Sequence, residues 1–230
     1  MLTNRVVSTP GLPGLPSEIT MNITLIGTGN MGSAFARQLT RAGHTLRITG
    51  RDAAKAEALA VANPGATAVP TASALDGSDV VILATGFADA IPALRSLGSL
   101  EGKVVIDITN PLTPDYMGLT VGHDTSAAEE IAKAVPGAEV VKAFNTLFAQ
   151  VLADGPAFAD GQVGTVFVAS DSERAKQTAR ALAESLGFHV LDAGGLKNAR
   201  YLEPLAGLNI YFGYGAGLGT TVAPTWIRKA

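Results

Sequence analysis

The sequence has no cysteine, only three histidines and no excess of basic residues. The lack of cysteine excludes disulfides, thiolate metal sites and cysteine nucleophiles. His44, His123 and His189 are scattered along the chain, so we expect no metal site. A net charge of −3 offers no basic surface, and we therefore predict that neither nucleic acid nor anionic lipid is a partner.

Two further stretches are notable for what they lack. Residues 1–20 are rich in Pro, Gly, Ser and Thr and have no apolar run of the kind a signal peptide carries. They predict a flexible leader, with residues 21–230 forming a single domain, and both Met1 and Met21 stay open as the start of translation. Residues 204–227 contain no charge, but their glycines and prolines make a poor membrane-spanning helix. We predict a protein outside the membrane, located in the cytoplasm.

What the chain does have is a glycine-rich turn between a predicted strand, 22–27, and a predicted helix, 30–42. In this context Gly27 permits a tight turn, Gly29 lets the backbone approach a pyrophosphate, and Gly32 allows close packing of helix and strand. The start of the helix adds unpaired N–H groups and the positive end of its dipole. The turn, which predicts a dinucleotide-binding site, reads Gly27-Thr28-Gly29-Asn30-Met31-Gly32.

The end of the second predicted strand, 46–50, favours NADP(H) over NAD(H). An NAD site usually has Asp or Glu there for the ribose 2′-hydroxyl, whereas an NADP site has Arg nearby. Here Gly50 and Arg51 end the strand, and Lys55 follows one helical turn later as a second cation for a 2′-phosphate. We interpret Asp52 as the N-cap of the next helix rather than as a ribose ligand.

The rest of the chain alternates predicted strands and helices, which predicts an α/β fold with a doubly wound parallel sheet of the Rossmann type. A helix over about 196–212 and the apolar tail after it form a small C-terminal extension. We expect this extension, about 195–230, to close the site or to form a homodimer interface. The further strands are predicted at 66–69, 80–84, 104–108, 140–144, 165–169 and 189–193, and the further helices at 53–62, 88–97, 126–135 and 172–186.

Neutral polar and apolar residues follow three of these strands, at the edge of the sheet where ligands bind. Thr85 and Asn110 can bond to ribose or to a nicotinamide carboxamide, although capping of a turn explains both equally well. Asp107 is interpreted as a residue that fixes the backbone, so no catalytic acid or base is expected. The candidate binding residues at these strand ends are Thr85, Gly86, Phe87, Asn110, Pro111, Phe144, Asn145, Thr146 and Leu147.

Taken in order, these motifs resemble the NADP-dependent oxidoreductases that use the deazaflavin coenzyme F420, and they are similar also to the nucleotide-binding domain of STEAP ferric reductases. The resemblance covers about residues 22–212. It implies hydride transfer between nicotinamide and a ring acceptor, which would be F420, FAD or FMN. It further implies that Thr28, Asn30 and Met31 line the pyrophosphate, that Gly50, Arg51 and Lys55 hold the 2′-phosphate, and that residues 144–147 face the second cofactor.

Members that use the deazaflavin often carry His where this chain has Asn145, which leaves the identity of the acceptor open. Transfer between two stacked rings needs their orientation in a dry cleft rather than a protein nucleophile. Two alternatives also stay open. One is a reductase of imines or 2-hydroxy acids of the pyrroline-carboxylate reductase type, with Lys197 as its catalytic candidate, and the other is a non-enzymatic NADP(H) sensor.

Overall fold

The computed structural model describes residues 20–227 and 229, so the leader predicted over 1–20 lies, apart from Thr20, outside the described residues. Six strands form the main sheet: β1 (Asn22–Ile26), β2 (Thr45–Thr49), β3 (Ala66–Ala68), β4 (Val80–Leu83), β5 (Val104–Asp107) and β6 (Glu139–Lys142). Their order is β3-β2-β1-β4-β5-β6, and all neighbouring strands are parallel. This order confirms the predicted Rossmann-type fold, with its topological switch point between β1 and β4.

The last two strands, β7 (Thr165–Val168) and β8 (His189–Asp192), leave the main sheet and pair with each other in parallel. Lys142 at the end of β6 joins Ala169 through an isolated antiparallel bridge, with two N–H···O distances of 2.9 and 3.0 Å. Because this bridge runs antiparallel, the chain beyond β6 does not continue the parallel ladder. The sequence pattern predicts both strands but does not predict that they form a second sheet, separate from the main one.

The helices are α1 (Asn30–Arg41), α2 (Ala53–Val61), α3 (Phe87–Ser96), α4 (Ala127–Ala134), α5 (Ala149–Asp154), α6 (Glu173–Ser185) and α7 (Ala199–Ile210). Side chains of a strand alternate between the two faces of the sheet. In β4, Val80 and Ile82 accordingly pack with α1, α2, α5 and α6, whereas Val81 and Leu83 pack with α3, α4 and the start of α7. Burial on both faces explains the continuous aliphatic runs of the central strands.

Two helical segments differ from the prediction. The sequence pattern does not predict α5, whose six residues are too few to show a helical period. The helix predicted over 196–212 is a 3₁₀ turn at Leu196–Asn198, then α7, then a π-helical turn at Tyr211–Gly215. Gly213 of the π turn lies so close to Phe148 that a Cβ atom would be 2.5 Å from the ring. In the described part of the chain, each helix is too short or too polar to cross a bilayer.

Candidate functional site

The three glycines of the turn after β1 have three different steric environments. Gly27 has a φ of +123°, and a Cβ atom there would lie 2.2 Å from the Ala84 carbonyl oxygen. A Cβ atom at Gly32 would lie 2.1 Å from the Gly27 carbonyl oxygen, so α1 starts in direct contact with the turn. A Cβ atom at Gly29, in contrast, would meet nothing within 4 Å. The turn is therefore tightly packed beneath and open above, which is what the approach of a phosphate to the backbone requires.

The start of α1 faces the same open space. Gly29 is the N-cap residue, and its carbonyl accepts the Ser33 N–H at 2.8 Å. A glycine has no side chain with which to cap the first amides of the helix, so these amides and the positive end of the dipole are available to an anion. Asn30 is exposed in this first turn, whereas Met31 is half-buried against the core.

A cleft of about 550 Å³ opens beside the turn, above the carboxyl ends of β1, β2 and β4. Thr28 lies between the turn and the end of β2, because a Cβ atom at Gly50 would be 3.7 Å from its methyl group. Thr85 donates its hydroxyl to the Gly86 carbonyl at 3.1 Å, which is the turn-capping contact. Asn30, Met31 and Gly32 of the turn do not line this cleft. The predicted residues that do are Gly27, Thr28, Gly29, Gly50, Arg51, Lys55, Thr85 and Gly86.

The two cations of this cleft are exposed and weakly held. The Arg51 side chain is 85% exposed, and its Nη1 lies 3.0 Å from Asp89 Oδ1. The Lys55 side chain is 71% exposed, and its Nζ lies 3.9 Å from Asp52 Oδ2. Asp52 Oδ1 also accepts the Lys55 N–H at 3.1 Å, which confirms Asp52 as the N-cap of α2. Exposed ion pairs of this kind contribute little stability, so both cations can exchange their partners for a ligand.

At the carboxyl ends of β5 and β6 the structure brings Asn110 and Asn145 together. Asn110 Nδ2 donates to the Asn145 carbonyl at 2.8 Å, and Asn145 Nδ2 donates to Asn110 Oδ1 at 3.0 Å. Asn145 Nδ2 also donates to the Leu202 carbonyl of α7 at 3.0 Å, and Asn209 of α7 donates to the Thr146 carbonyl at 3.1 Å. The C-terminal helix thus lies on this edge of the sheet and holds both strand ends in place.

The apolar residues predicted for this edge lie deeper than expected. Phe144 is fully buried, and its ring packs edge-on against Phe35, with centroids 5.1 Å apart, and against Phe188. Its φ of +58° turns the chain sharply at the end of β6 and directs the ring into the core. Where the sequence predicts a ring facing the crevice, the structure has core packing instead. Leu147 and Pro111 are likewise buried, and Phe87, at the start of α3, is half-buried.

Beneath this edge lies an ionic triad that the sequence reasoning missed. Lys142 Nζ is 2.7 Å from Asp107 Oδ2 and 2.8 Å from Glu203 Oε1, and it donates to the Thr109 carbonyl at 2.7 Å. All three side chains are essentially inaccessible to solvent. Glu203 also accepts the N–H groups of Ala127 and Ala128 at the start of α4, at 2.9 and 3.2 Å. The triad therefore connects β5, β6, α4 and α7.

A signal for the triad is present in the sequence. β5 and β6 are otherwise apolar inside, yet β5 ends on Asp107 and β6 ends on Lys142. The two residues are direct partners in the parallel register. Because a buried charge needs a partner, a carboxylate and an ammonium at matching strand ends predict a pair. Asp107 Oδ1 also accepts the Thr109 N–H at 2.8 Å, so Asp107 fixes backbone as expected.

Apart from Asp107 Oδ2, which is ion-paired with Lys142, three buried oxygens at the same edge have no hydrogen-bond partner within the residues that the structure describes. They are Thr109 Oγ1, Asn145 Oδ1 and Thr146 Oγ1. Buried polar atoms are normally hydrogen-bonded, so each of these three oxygens has an unused capacity to accept a hydrogen bond. Lys197, in contrast, is exposed on the 3₁₀ turn, and the described clefts do not include it.

The parallel sheet, its glycine turn and the cleft beside that turn define a dinucleotide-binding domain of the Rossmann class. Residues 22–111 match the family described as NADP oxidoreductase, coenzyme F420-dependent. The chain is 34% identical over 212 residues to the F420-dependent NADP reductase of Methanothermobacter marburgensis, with 83% of this chain and 91% of that protein covered. The protein therefore belongs to the family of F420-dependent NADP reductases and is an NADP-dependent oxidoreductase.

Two other similarities agree with this assignment. A crystal structure of a putative F420-dependent NADP reductase from Arthrobacter sp. FB24 superimposes with a TM-score of 0.78 and 31% identity, covering 87% of this chain and 96% of that one. The chain is also 29% identical over 207 residues, 89% of its length, to the metalloreductase STEAP3 of Rattus norvegicus. It spans only 40% of that protein.

Proposed function

We propose that this protein transfers a hydride between NADP(H) and a deazaflavin or flavin ring, with coenzyme F420 as the first acceptor to test. The observation that carries the proposal is the division of charge along the carboxyl edge of the sheet. Exposed cations line the cleft at the end of β2, and uncharged polar oxygens lie buried at the ends of β5 and β6. The carboxylates nearest these oxygens, Asp107 and Glu203, are both engaged by Lys142. Such an arrangement suits ring-to-ring hydride transfer, which needs no acid or base from the protein.

The residues present fit NADP(H). The open space above Gly29 and the uncapped start of α1 suit the pyrophosphate, beside Thr28, Asn30 and Met31. Arg51 and Lys55 are close enough to the end of β2 to hold a 2′-phosphate, and Gly50 leaves room beside them. When bound, the cofactor supplies or accepts the hydride at its nicotinamide ring. The protein contributes the phosphate contacts that fix where that ring lies.

At the other end, the chain supplies orientation and exclusion of water. The unpartnered oxygens of Thr109, Asn145 and Thr146 are buried at the ends of β5 and β6, and we propose that this edge opens so that they bond to the carboxamide of nicotinamide or to the polar edge of the acceptor ring. Asn110 fixes Asn145, and Asn145 also bonds to the Leu202 carbonyl of α7. We propose on this basis that residues 21–230 act as one domain and that the segment from about 195 onward closes the site.

The direct test is reduction of the acceptor. Purified protein is mixed with NADPH and, in separate anaerobic reactions, with oxidised F420, FAD or FMN, while the absorbance of the acceptor and of NADPH is followed. We expect the two absorbances to fall together, and we expect F420 to be reduced fastest. A protein that binds NADPH but reduces none of the three would contradict the proposal and favour the sensor. The parallel reaction with NADH measures how far activity depends on the 2′-phosphate.

We also propose that the protein is a cytoplasmic homodimer that pairs through its C-terminal extension. Large apolar side chains are exposed along α7 and the π turn, and such a surface on a water-soluble protein is characteristic of a contact site. They are Tyr201, Leu208, Tyr211 and Phe212. Light scattering coupled to gel filtration checks the assembly, and a monomer with the wild-type sequence would exclude it.

A further inference from the structure

A second cleft, of about 440 Å³, lies between α1 and the segments that carry α5 and the π turn. It starts at Asn30, the first residue of α1, and therefore adjoins the glycine turn on the side away from Arg51. We name it the α1–α5 cleft. The residues that define it here are Asn30, Ser33, Arg37, Phe148, Gln150 and Tyr214. None of its polar side chains beyond Asn30 has a part in the nucleotide site proposed above.

The cleft is polar along one wall and aromatic along the other. Asn30, Ser33 and Arg37 lie three and four residues apart, so they share one face of α1. Phe148 and Tyr214 form the opposite wall, with their rings edge to face and the centroids 5.7 Å apart. Asn30 and Arg37 are separated by roughly 10 Å along the helix axis. The lining thus leads from an amide beside the glycine turn to a guanidinium about two helical turns away.

Arg37 is the charged group at the far end of this path. It is exposed, and among residues 20–227 it makes no ion pair, which is also true of Arg41, Arg47 and Arg95. Of these four arginines, Arg37 is the one that lines the cleft. A guanidinium suits a phosphate because it presents several N–H groups in one plane. The Asn30 amide and the Ser33 hydroxyl can each donate and accept hydrogen bonds, as the hydroxyls of a polyol require.

We propose that the α1–α5 cleft binds the phosphorylated polyol side chain of the hydride acceptor, with Arg37 on the phosphate and with Asn30 and Ser33 on the polyol. The inference depends on the proposed function for the class of acceptor. It makes Arg37 a specificity-determining residue, which favours acceptors that carry a phosphate over those that have the ring and polyol alone.

FMN and riboflavin test this directly, because they share the ring and the polyol and differ by one phosphate. Their affinities for the NADP⁺-saturated protein are measured from the quenching of flavin fluorescence. F420 and its phosphate-free deazaflavin core form a second pair of probes. We expect the wild type to bind the phosphorylated member of at least one pair about tenfold more tightly, as is typical of a hydrogen bond to a charged group. Arg37→Gln should remove this preference and leave the affinity for the phosphate-free member within about twofold.

Arg41→Gln is the matched control, because Arg41 is exposed on the next turn of α1 and does not line the cleft. Equal wild-type affinities for both members of each pair, no binding of any probe, or equal effects of the two substitutions would overturn the inference. Binding that depends on Arg37 without any hydride transfer would instead reject the proposed function and leave the cleft assignment standing.

Discussion

The two ends of the carboxyl edge of the sheet hold their charged residues in opposite environments, one exposed and one buried. At the end of β2, Arg51 is almost fully exposed and meets a single carboxylate, that of Asp89. At the ends of β5 and β6, Lys142 is fully buried and meets Asp107, Glu203 and a backbone carbonyl. An exposed pair costs little to break, whereas breaking a buried pair leaves an uncompensated charge. The first arrangement therefore frees a cation for a ligand, and the second fixes the position of the elements that hold the site.

The largest expected effect comes from breaking the buried end. Lys142→Met leaves the carboxylates of Asp107 and Glu203 buried near each other without their cation. We expect the free energy of unfolding to fall by about 3–5 kcal/mol, the usual cost of removing one partner from a buried pair. Urea denaturation followed by circular dichroism measures the change.

Lys55→Met is the control at the exposed end, since it also removes an ammonium. It should change the free energy of unfolding by no more than about 0.5 kcal/mol. If the two lysine substitutions had equal effects on stability, the contrast between the two ends would be wrong.

The next effect in size concerns binding at the exposed end. Arg51→Ala should weaken the binding of NADPH by about 1.5–3 kcal/mol, which corresponds to the loss of a hydrogen bond to a charged group. The affinity for NADH, which lacks the 2′-phosphate, should change far less, and the urea midpoint should stay the same. Calorimetric titration of the wild type and the variant with each nucleotide measures these affinities. Equal losses for NADPH and NADH would mean that the guanidinium does not contact the 2′-phosphate.

The same contrast separates what the sequence predicts from what it does not. The glycine turn, the Asp52 cap and the apolar strands rest on residues close together in the chain, and their local patterns predict them well. The triad depends on the register of β5 against β6 and on Glu203, which arrives from α7 far along the chain. No local period carries that information, although the charged ends of two apolar strands hint at it.

The α1–α5 cleft likewise cannot be predicted from local patterns in the sequence. Its far wall is formed by Phe148 and Gln150, which belong to the short α5 segment, and by Tyr214 in the π turn. A six-residue helix shows no helical period, and a π turn cannot be told from an α-helix by its pattern. The core position of the Phe144 ring likewise follows from a left-handed backbone conformation that the residue type does not suggest.

A smaller effect sharpens the picture of the exposed end. Asp89 holds Arg51 at 3.0 Å and also lines the cleft, so its carboxylate competes with a 2′-phosphate for the guanidinium. Asp89→Asn should therefore tighten NADPH binding, by less than about 1 kcal/mol because the pair is exposed. The exposed Asp76, which is outside the cleft, gives the control Asp76→Asn. Weaker binding of NADPH by the Asp89 variant would show that Asp89 supports the cofactor instead of competing with it.

The smallest effect concerns His44, a buried titratable group far from the Lys142 triad. It tests whether burial governs charge there as it does in the triad. His44 accepts the Met21 N–H at Nδ1, at 3.2 Å, and its Nε2 lies 2.8 Å from the Ser185 hydroxyl oxygen. Burial lowers the pKa of His44 below its ordinary value, because the charged imidazolium loses its hydration. The unfolded chain thus takes up a proton near pH 6.5 while the folded protein does not.

The contribution of His44 to stability is therefore complete above about pH 6.5 and declines as the pH falls below that value. His44→Gln should remove this part of the pH dependence, whereas replacing the exposed His189 by Gln should leave it in place. Urea midpoints measured from pH 8 down to about pH 5 make the comparison, over the range where an unperturbed histidine titrates. A wild-type midpoint that rises as the pH falls would mean that the fold prefers the charged ring. Burial would then not determine the protonation state of His44. The contrast between buried and exposed charges along the sheet edge would not extend to the rest of the molecule.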